Sequence, residues 1–252
     1  MAGFARGSKP TYAILWTVGL DIYVGSLTRY HAGDWESIAQ QVARETGVPL
    51  RVIRQHDSSD AIRDPDQIRP TVLAWRDSLS AALAEHLGSN LEWDERQDAP
   101  YFTDKPAWDC YSDLMLWAAY DEQGQLRPPV EHVENWSEDP AYRLVTRAKK
   151  KTRYTQLYDV ALWLPCDFAF VSKAQDVAGT EMFLGSSVAL LRQLQELNAR
   201  TWRAAPAILH QWRRDGADHG SPLEVGARFA FAVFSALAAE ATKYRLPMRL
   251  DW

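Results

Sequence analysis

The chain has 252 residues, of which 46% are apolar and 24% are charged, and its formal net charge is −5. These values are typical of a globular protein and not of a disordered chain, and they allow one large domain or two small ones, either of which buries a core without disulfide support. Two cysteines, Cys110 and Cys166, are too few for a disulfide framework, so we expect a reducing, cytoplasmic compartment. The eleven tryptophans favour a binding surface, because tryptophan anchors interfaces as well as cores.

The N-terminal segment places an apolar run, residues 11–20, behind Arg6 and Lys9. This order of charge and apolar residues is also that of a signal peptide. Tyr12 and Trp16 are unusual in such a segment, and no clear small-x-small cleavage site follows it. We therefore expect that the protein is not exported.

The first half of the chain alternates β-rich runs with amphipathic helices. Strands are predicted at residues 12–18 and 22–27, joined as a hairpin, and at 50–54; helices are predicted from Gly33 or Asp34 to Gly47, from Pro70 to Gly88 and from Ala107 to Asp121. Residues 89–106 and 123–138 have no helical period and contain prolines, so both are predicted to be long connections.

The second half begins with a predicted helix from Asp139 or Pro140 to Lys151. A strand at residues 157–164, a hairpin of 168–173 with 181–184, a helix that begins near Ser187, a short helix at 208–213 and an edge strand at 246–250 follow. Strands and helices are mixed without regular βαβ alternation. The pattern predicts the α+β class, helix-rich, in a single globular domain over 1–252 with a weak division near 124–138.

Residues 221–244 predict the element around which the fold is organised. Ser221 and Glu224 have the spacing of a capping box, with Pro222 between them. Between residues 225 and 239 only Arg228 and Ser235 are polar, so this helix must be surrounded by protein. The apolar run is too short for a membrane span. We expect two short hairpins or a small mixed sheet to pack around this buried C-terminal helix.

Negative charge is concentrated in one stretch of the chain. Residues 91–139 contain thirteen acids against three bases, a net charge of −10, whereas the whole chain carries −5, so the remainder sums to +5. The basic run from Arg143 to Arg153 follows directly. Asp109 and Asp113 stand four residues apart on one predicted helix with no basic residue between them, so they repel each other unless a cation meets them.

Aromatic residues alternate with these acids, which is typical of an electrostatically steered binding surface. The residues predicted to contact a partner are Asp94, Glu95, Asp98, Asp104, Asp109, Asp113, Asp121, Glu122, Trp93, Trp108 and Trp117. Two alternatives stay open: the acids are simply solvated, or they pair with the basic run. That run, with its neighbouring tyrosines, is a weak footprint for nucleic acid, and the net negative charge opposes such binding.

Catalytic signatures are not found in the sequence. Acidic neighbours disfavour a thiolate at Cys110 and at Cys166, and no phosphate-binding glycine loop or nucleophile elbow occurs. His56 with nearby aspartates, and Asp215 with Asp218 and His219, lie in predicted loops without metal-site spacing. We therefore expect no metal and no cofactor.

Together these features favour a non-catalytic intracellular protein-binding module. The hypothesis is a bacterial immunity or antitoxin-type inhibitor, whose acidic, aromatic-rich surface masks a basic protein partner such as a nuclease-like toxin; no membrane is involved. One alternative is a hydrolase that uses the acids with His132, or a metal bound by the loop from Asp215 to His219. Another is a structural interaction module.

Overall fold

The computed structural model of the chain describes residues 20–48, 63–87, 91–147 and 152–251. In this part of the chain, eight α-helices accompany one six-stranded mixed sheet, which confirms the helix-rich α+β class in its mixed-sheet form. The strands are β1 (Asp21–Val24), β2 (Phe102–Asp104), β3 (Val160–Leu164), β4 (Ser172–Gln175), β5 (Glu181–Ser186) and β6 (Met248–Asp251).

The helices carry most of the described residues. They are α1 (Leu27–Ala32), α2 (Ile38–Thr46), α3 (Pro65–Leu87), α4 (Trp108–Gln123), α5 (Pro140–Arg147), α6 (Ser187–Arg200), α7 (Pro206–Asp215) and α8 (Leu223–Tyr244), with a 3-10 helix at Trp136–Glu138. The predicted strands at 12–18 and 50–54 lie outside the described residues.

The sheet has the strand order β2-β1-β6-β3-β5-β4, and all its pairs are antiparallel except the parallel pair β3 and β5. The C-terminal strand β6 was predicted at an edge, and this is wrong: it lies between β1 and β3. Pro247 precedes the strand and so occupies none of the paired positions. Arg249 of β6 is therefore opposite both Tyr23 of β1 and Leu162 of β3.

Helices cover both faces of the sheet. On one face, Ile22 and Met248 join a core formed with α4, α6 and α8. On the other face, Leu162 and Leu164 pack with Val72 of α3 and with Leu27 of α1. Alternate residues of a strand point to opposite faces, so β3, buried along its whole length, contributes to both cores.

Helix α8 lies in the larger core, as predicted, with Phe231 and Phe234 almost completely buried. By length and composition it is the one helix among the described residues that is able to cross a membrane, and its most apolar stretch is 56% buried in the protein. The core helix of a soluble protein passes the same test. The predicted capping box is wrong, because Pro222 is the N-cap and Glu224 instead accepts hydrogen bonds from Trp202 and Arg228.

Several element boundaries also differ from the predictions. The strand predicted at 22–27 ends at Val24, and residues 27–32 form α1, because the hydroxyl of Ser26 caps this helix and Gly33 ends it in the left-handed conformation. Helix α2 begins at Ile38 behind a capping box of Ser37 and Gln40, later than predicted. Helix α3 begins at Pro65, and strand β2 lies within the predicted connection 89–106.

Candidate functional site

Two of the predicted partner-binding acids form ion pairs with distant helices. The Nε atom of Arg213 lies 2.6 Å from Oδ2 of Asp104, and Nε of Arg200 lies 2.7 Å from Oδ2 of Asp121. Asp121 also accepts a hydrogen bond from the hydroxyl of Tyr154. The arginines that pair with these two acids belong to α6 and α7. From the sequence, the basic run from Arg143 to Arg153 was the alternative partner for the acids.

Glu95 has a structural role at the start of α1. Its buried carboxylate accepts hydrogen bonds from the backbone N–H groups of Leu27 and Thr28, at 3.0 and 2.8 Å, and from the indole of Trp93. A carboxylate at a helix N-terminus satisfies free N–H groups and interacts favourably with the helix dipole. Glu95 and Trp93 are both buried, and Trp93 belongs to the core that packs against α3.

Glu122 is engaged in a similar way near the end of α4. It accepts hydrogen bonds from the backbone N–H groups of Arg153 and Tyr154, and burial raises the pKa of its carboxyl group. This brings the acidic stretch and the end of the basic run together through the backbone. The guanidinium of Arg153 itself lies 3.4 Å from Glu196.

The remaining predicted residues differ in exposure. Asp94 forms an ion pair with Arg96 at 2.9 Å, while Asp98 is exposed. Trp108 is half-buried against the larger core, and the ring of Trp117 stacks on Trp202 with 5.2 Å between ring centres. The predicted residues thus do not form one continuous exposed surface. Whether they contact a partner stays a prediction.

Asp109 and Asp113 do meet cationic or polar partners, and these partners are histidines. Nδ1 of His132 lies 2.8 Å from Oδ1 of Asp113, and Nε2 of the same ring lies 4.0 Å from Oδ1 of Asp109. Nδ1 of His219 contacts Oδ2 of Asp109. We call these four residues the Asp–His cluster. In the sequence, two aspartates four residues apart without a basic neighbour indicated that a cation must meet them. This spacing did not identify the histidines.

Gly226 explains how Asp113 fits between α4 and α8. A Cβ atom at this glycine would lie 2.2 Å from Oδ2 of Asp113, so a larger residue would collide with the carboxylate. The side chain of Asp113 is 2% exposed. Burial raises the pKa of Asp113 to about 6, although the hydrogen bond from His132 acts in the opposite direction.

This raised pKa predicts a pH-dependent contribution to stability. The usual pKa of 3.8 describes Asp113 in the unfolded chain. The protonated carboxyl group of Asp113 therefore stabilises the folded protein fully below pH 3.8, and this contribution is lost as the pH rises through about 6. We expect Asp113→Asn, which stays neutral, to gain roughly 2–3 kcal/mol relative to the wild type between about pH 4 and about pH 8. Urea unfolding of both proteins across this range measures the difference.

Asp98→Asn is the matched control, because Asp98 is exposed on the protein surface. Its stability relative to the wild type should stay within about 0.5 kcal/mol at every pH. A constant difference between Asp113→Asn and the wild type would contradict the raised pKa.

An exposed surface borders the Asp–His cluster. The backbone N–H of Leu223 donates to the carbonyl of Val130 at 3.0 Å, which joins the connection 124–135 to the start of α8. Val130 is 75% exposed, and Glu131, Glu134 and Val225 are exposed as well. We call Val130, Glu131, Glu134 and Val225 the loop surface. Both glutamates belong to the acidic stretch 91–139, but neither is among the predicted contact residues.

Neither cysteine has the lowered pKa that a reactive thiolate needs. Burial raises the pKa of Cys110 to about 12, with Asp113 and Asp109 acting in the same direction, and burial also raises the pKa of Cys166. Within residues 20–48, 63–87, 91–147 and 152–251, no group of three or more His, Cys, Asp or Glu side chains is arranged to hold a metal ion. His219 lies against Asp109, and the candidate around His56 lies outside the described residues.

Comparison with known proteins adds no family to this description. No protein-family model, no curated protein and no solved structure matches the chain.

Proposed function

We propose that this chain is a non-catalytic, cytoplasmic protein-binding module of the immunity or antitoxin type, which inhibits a basic partner such as a nuclease-like toxin. The observation that carries the proposal is the loop surface, where the exposed Val130 is followed directly by the exposed Glu131, and the exposed Glu134 comes three residues later. Apolar side chains supply area that becomes buried in a complex, and carboxylates attract a cationic partner. Both free cysteines are consistent with a reducing compartment.

The loop surface is held in place on several sides. The carbonyl of Val130 bonds to α8, and His132 bonds to Asp113 of α4. Beyond the loop surface, the hydroxyl of Tyr120 donates to Asp139 at 2.9 Å. A segment fixed before binding loses less conformational entropy in the complex. These anchors therefore favour binding by a preformed surface.

The proposed mechanism is occlusion of a cationic surface. Carboxylates of the module occupy positions that phosphates of a nucleic acid take on the partner, and apolar neighbours exclude water. This mechanism uses no cofactor. Charges at the rim of an interface act mainly on the association rate, and salt screens them over about 8 Å at physiological ionic strength.

Neutralising the loop surface should weaken capture of a basic partner. We expect Glu131→Gln with Glu134→Gln to lower the association rate about tenfold at low salt, because both carboxylates steer the partner. The measurement uses immobilised wild-type protein to capture and identify partners from the native host, and then surface plasmon resonance at about 50 mM and about 500 mM salt.

Glu45→Gln with Glu85→Gln is the matched control, since it removes the same charge from exposed positions on α2 and α3. This control should bind like the wild type. The proposal fails if the captured partner is acidic, or if both double variants bind it equally well at low salt.

A hydrolase is the second candidate, and one observation favours it. The buried carboxylate of Asp113 holds Nδ1 of His132, which is how a general base is oriented in many enzymes. Nε2 of His132 faces Asp109, and the side chain of His132 is mostly covered. Hydrolysis of an ester or phosphodiester that is lost in His132→Gln but retained in the glutamate double variant would favour the enzyme.

A further inference from the structure

We infer that His219 occupies the place on Asp109 that an arginine or lysine of the partner takes on binding. This inference rests on the proposed function, because it assigns one contact within the same binding region. It also assigns a role to Asp109, which the sequence analysis had selected for partner binding.

The exposure of the two side chains indicates that this contact is exchangeable. The side chain of His219 is 91% exposed although its Nδ1 atom contacts Oδ2 of Asp109, whose side chain is 24% exposed. A largely solvated imidazole loses little buried area when it leaves. Oδ2 of Asp109 makes no hydrogen bond with the described residues, so its contact with His219 is the one that a cation of the partner would replace.

The other pair of the Asp–His cluster is fixed and does not compete for this role. The side chains of Asp113 and His132 are almost completely covered, and 2.8 Å separates their bonded atoms. Nε2 of His132 is 4.0 Å from Asp109, beyond hydrogen-bond distance. Asp109 therefore has one close imidazole contact, and that contact is with the exposed ring.

The surroundings of Asp109 favour a cation from the partner. The buried carboxylate of Asp113, one turn further along α4, adds negative potential to that of Asp109 itself. His132 connects the site to the loop surface, because Val130 and Glu131 directly precede it in the chain. A guanidinium binds a carboxylate with two parallel hydrogen bonds, which one imidazole nitrogen does not match.

A hexa-arginine peptide is the probe, and its dissociation constant is measured by fluorescence anisotropy at about 50 mM salt. His219→Ala should bind the peptide about threefold more tightly than the wild type, because it lacks the competing imidazole. Asp109→Asn should bind about tenfold more weakly than the wild type. His210→Ala, at an exposed histidine of α7, is the matched control and should bind like the wild type.

The double variant Asp109→Asn with His219→Ala tests whether the two residues act through each other. It should bind like Asp109→Asn alone, because the imidazole competes only when the carboxylate is present. The inference is overturned if His219→Ala does not bind more tightly, if its gain persists in the Asp109→Asn background, or if the wild type does not bind the peptide. Capture of a basic partner through the loop surface would leave the proposed function standing in each case.

Discussion

Asp176→Ala is expected to lower the free energy of unfolding by about 3–5 kcal/mol, because it removes one partner of a buried ion pair. Nη2 of Arg249 on β6 lies 2.9 Å from Oδ2 of Asp176, in the turn between β4 and β5, and both side chains are largely covered. The guanidinium also lies over the ring of Tyr30. Without Asp176, its charge stays inside the protein without a counter-ion.

The surroundings of Arg249 increase the loss of stability that is expected for Asp176→Ala. Its Nε and Nη1 atoms make no hydrogen bond with the described residues. The pKa of His31 is lowered to about 4, chiefly by burial and further by Arg249, so this imidazole is neutral near pH 7 and does not act as a counter-ion. Asp176 is thus the carboxylate that makes burial of Arg249 tolerable.

A double-mutant cycle separates the ion pair from the turn. Asp176 also accepts hydrogen bonds from the backbone N–H groups of Ala178 and Thr180, which Asp176→Ala loses as well. Adding Arg249→Met should restore part of the stability, because no unpaired charge is then buried. Urea unfolding of the three variants measures the coupling, and strictly additive losses would show that the ion pair contributes nothing.

Phe234→Ala is expected to destabilise the protein by about 3–5 kcal/mol, because it leaves a cavity at the centre of the larger core. The ring of Phe234 stacks on Tyr111 of α4, with 5.0 Å between ring centres, and meets Trp163 of β3 edge-on at 6.0 Å. It therefore joins α8 to both the neighbouring helix and the sheet. Both neighbouring rings are fixed by hydrogen bonds, Tyr111 to the carbonyl of Leu157 and Trp163 to the carbonyl of Gln156, so they do not move freely into the cavity.

Val225→Ala is the control for this substitution on the same helix. Val225 is exposed, so its truncation should change the free energy of unfolding by no more than about 0.5 kcal/mol. Chemical denaturation followed by tryptophan fluorescence compares the two variants. Equal losses from both would contradict the central position of Phe234 in the core.

The long amphipathic and apolar helices could be predicted because their signals are local. The apolar run of α8 and the leucine spacing of α6 specify buried faces without knowledge of the neighbours. Short elements were harder to predict. Helix α1 follows β1 so closely that the predicted strand at 22–27 included Leu27, the first residue of α1, and the cap by Ser26 marks the boundary.

The candidate site depended more heavily on the fold. The spacing of Asp109 and Asp113 indicated that a partner was needed, but His132 and His219 come from two separate loops. Glu95 was selected as a surface acid, yet it binds the N-terminus of α1, far from it in sequence. Side-chain charge is visible in a sequence, whereas the group that neutralises it depends on long-range packing.

The sequence by itself determined the α+β class, the buried C-terminal helix and the uneven distribution of charge, since these follow from local periodicity and composition. Only the tertiary structure decided that β6 lies inside the sheet, that the cations for Asp104 and Asp121 come from α7 and α6, and that Asp113 is buried beside Gly226. Strand order and ion pairing join residues that are distant in the chain. No short window of sequence contains both partners.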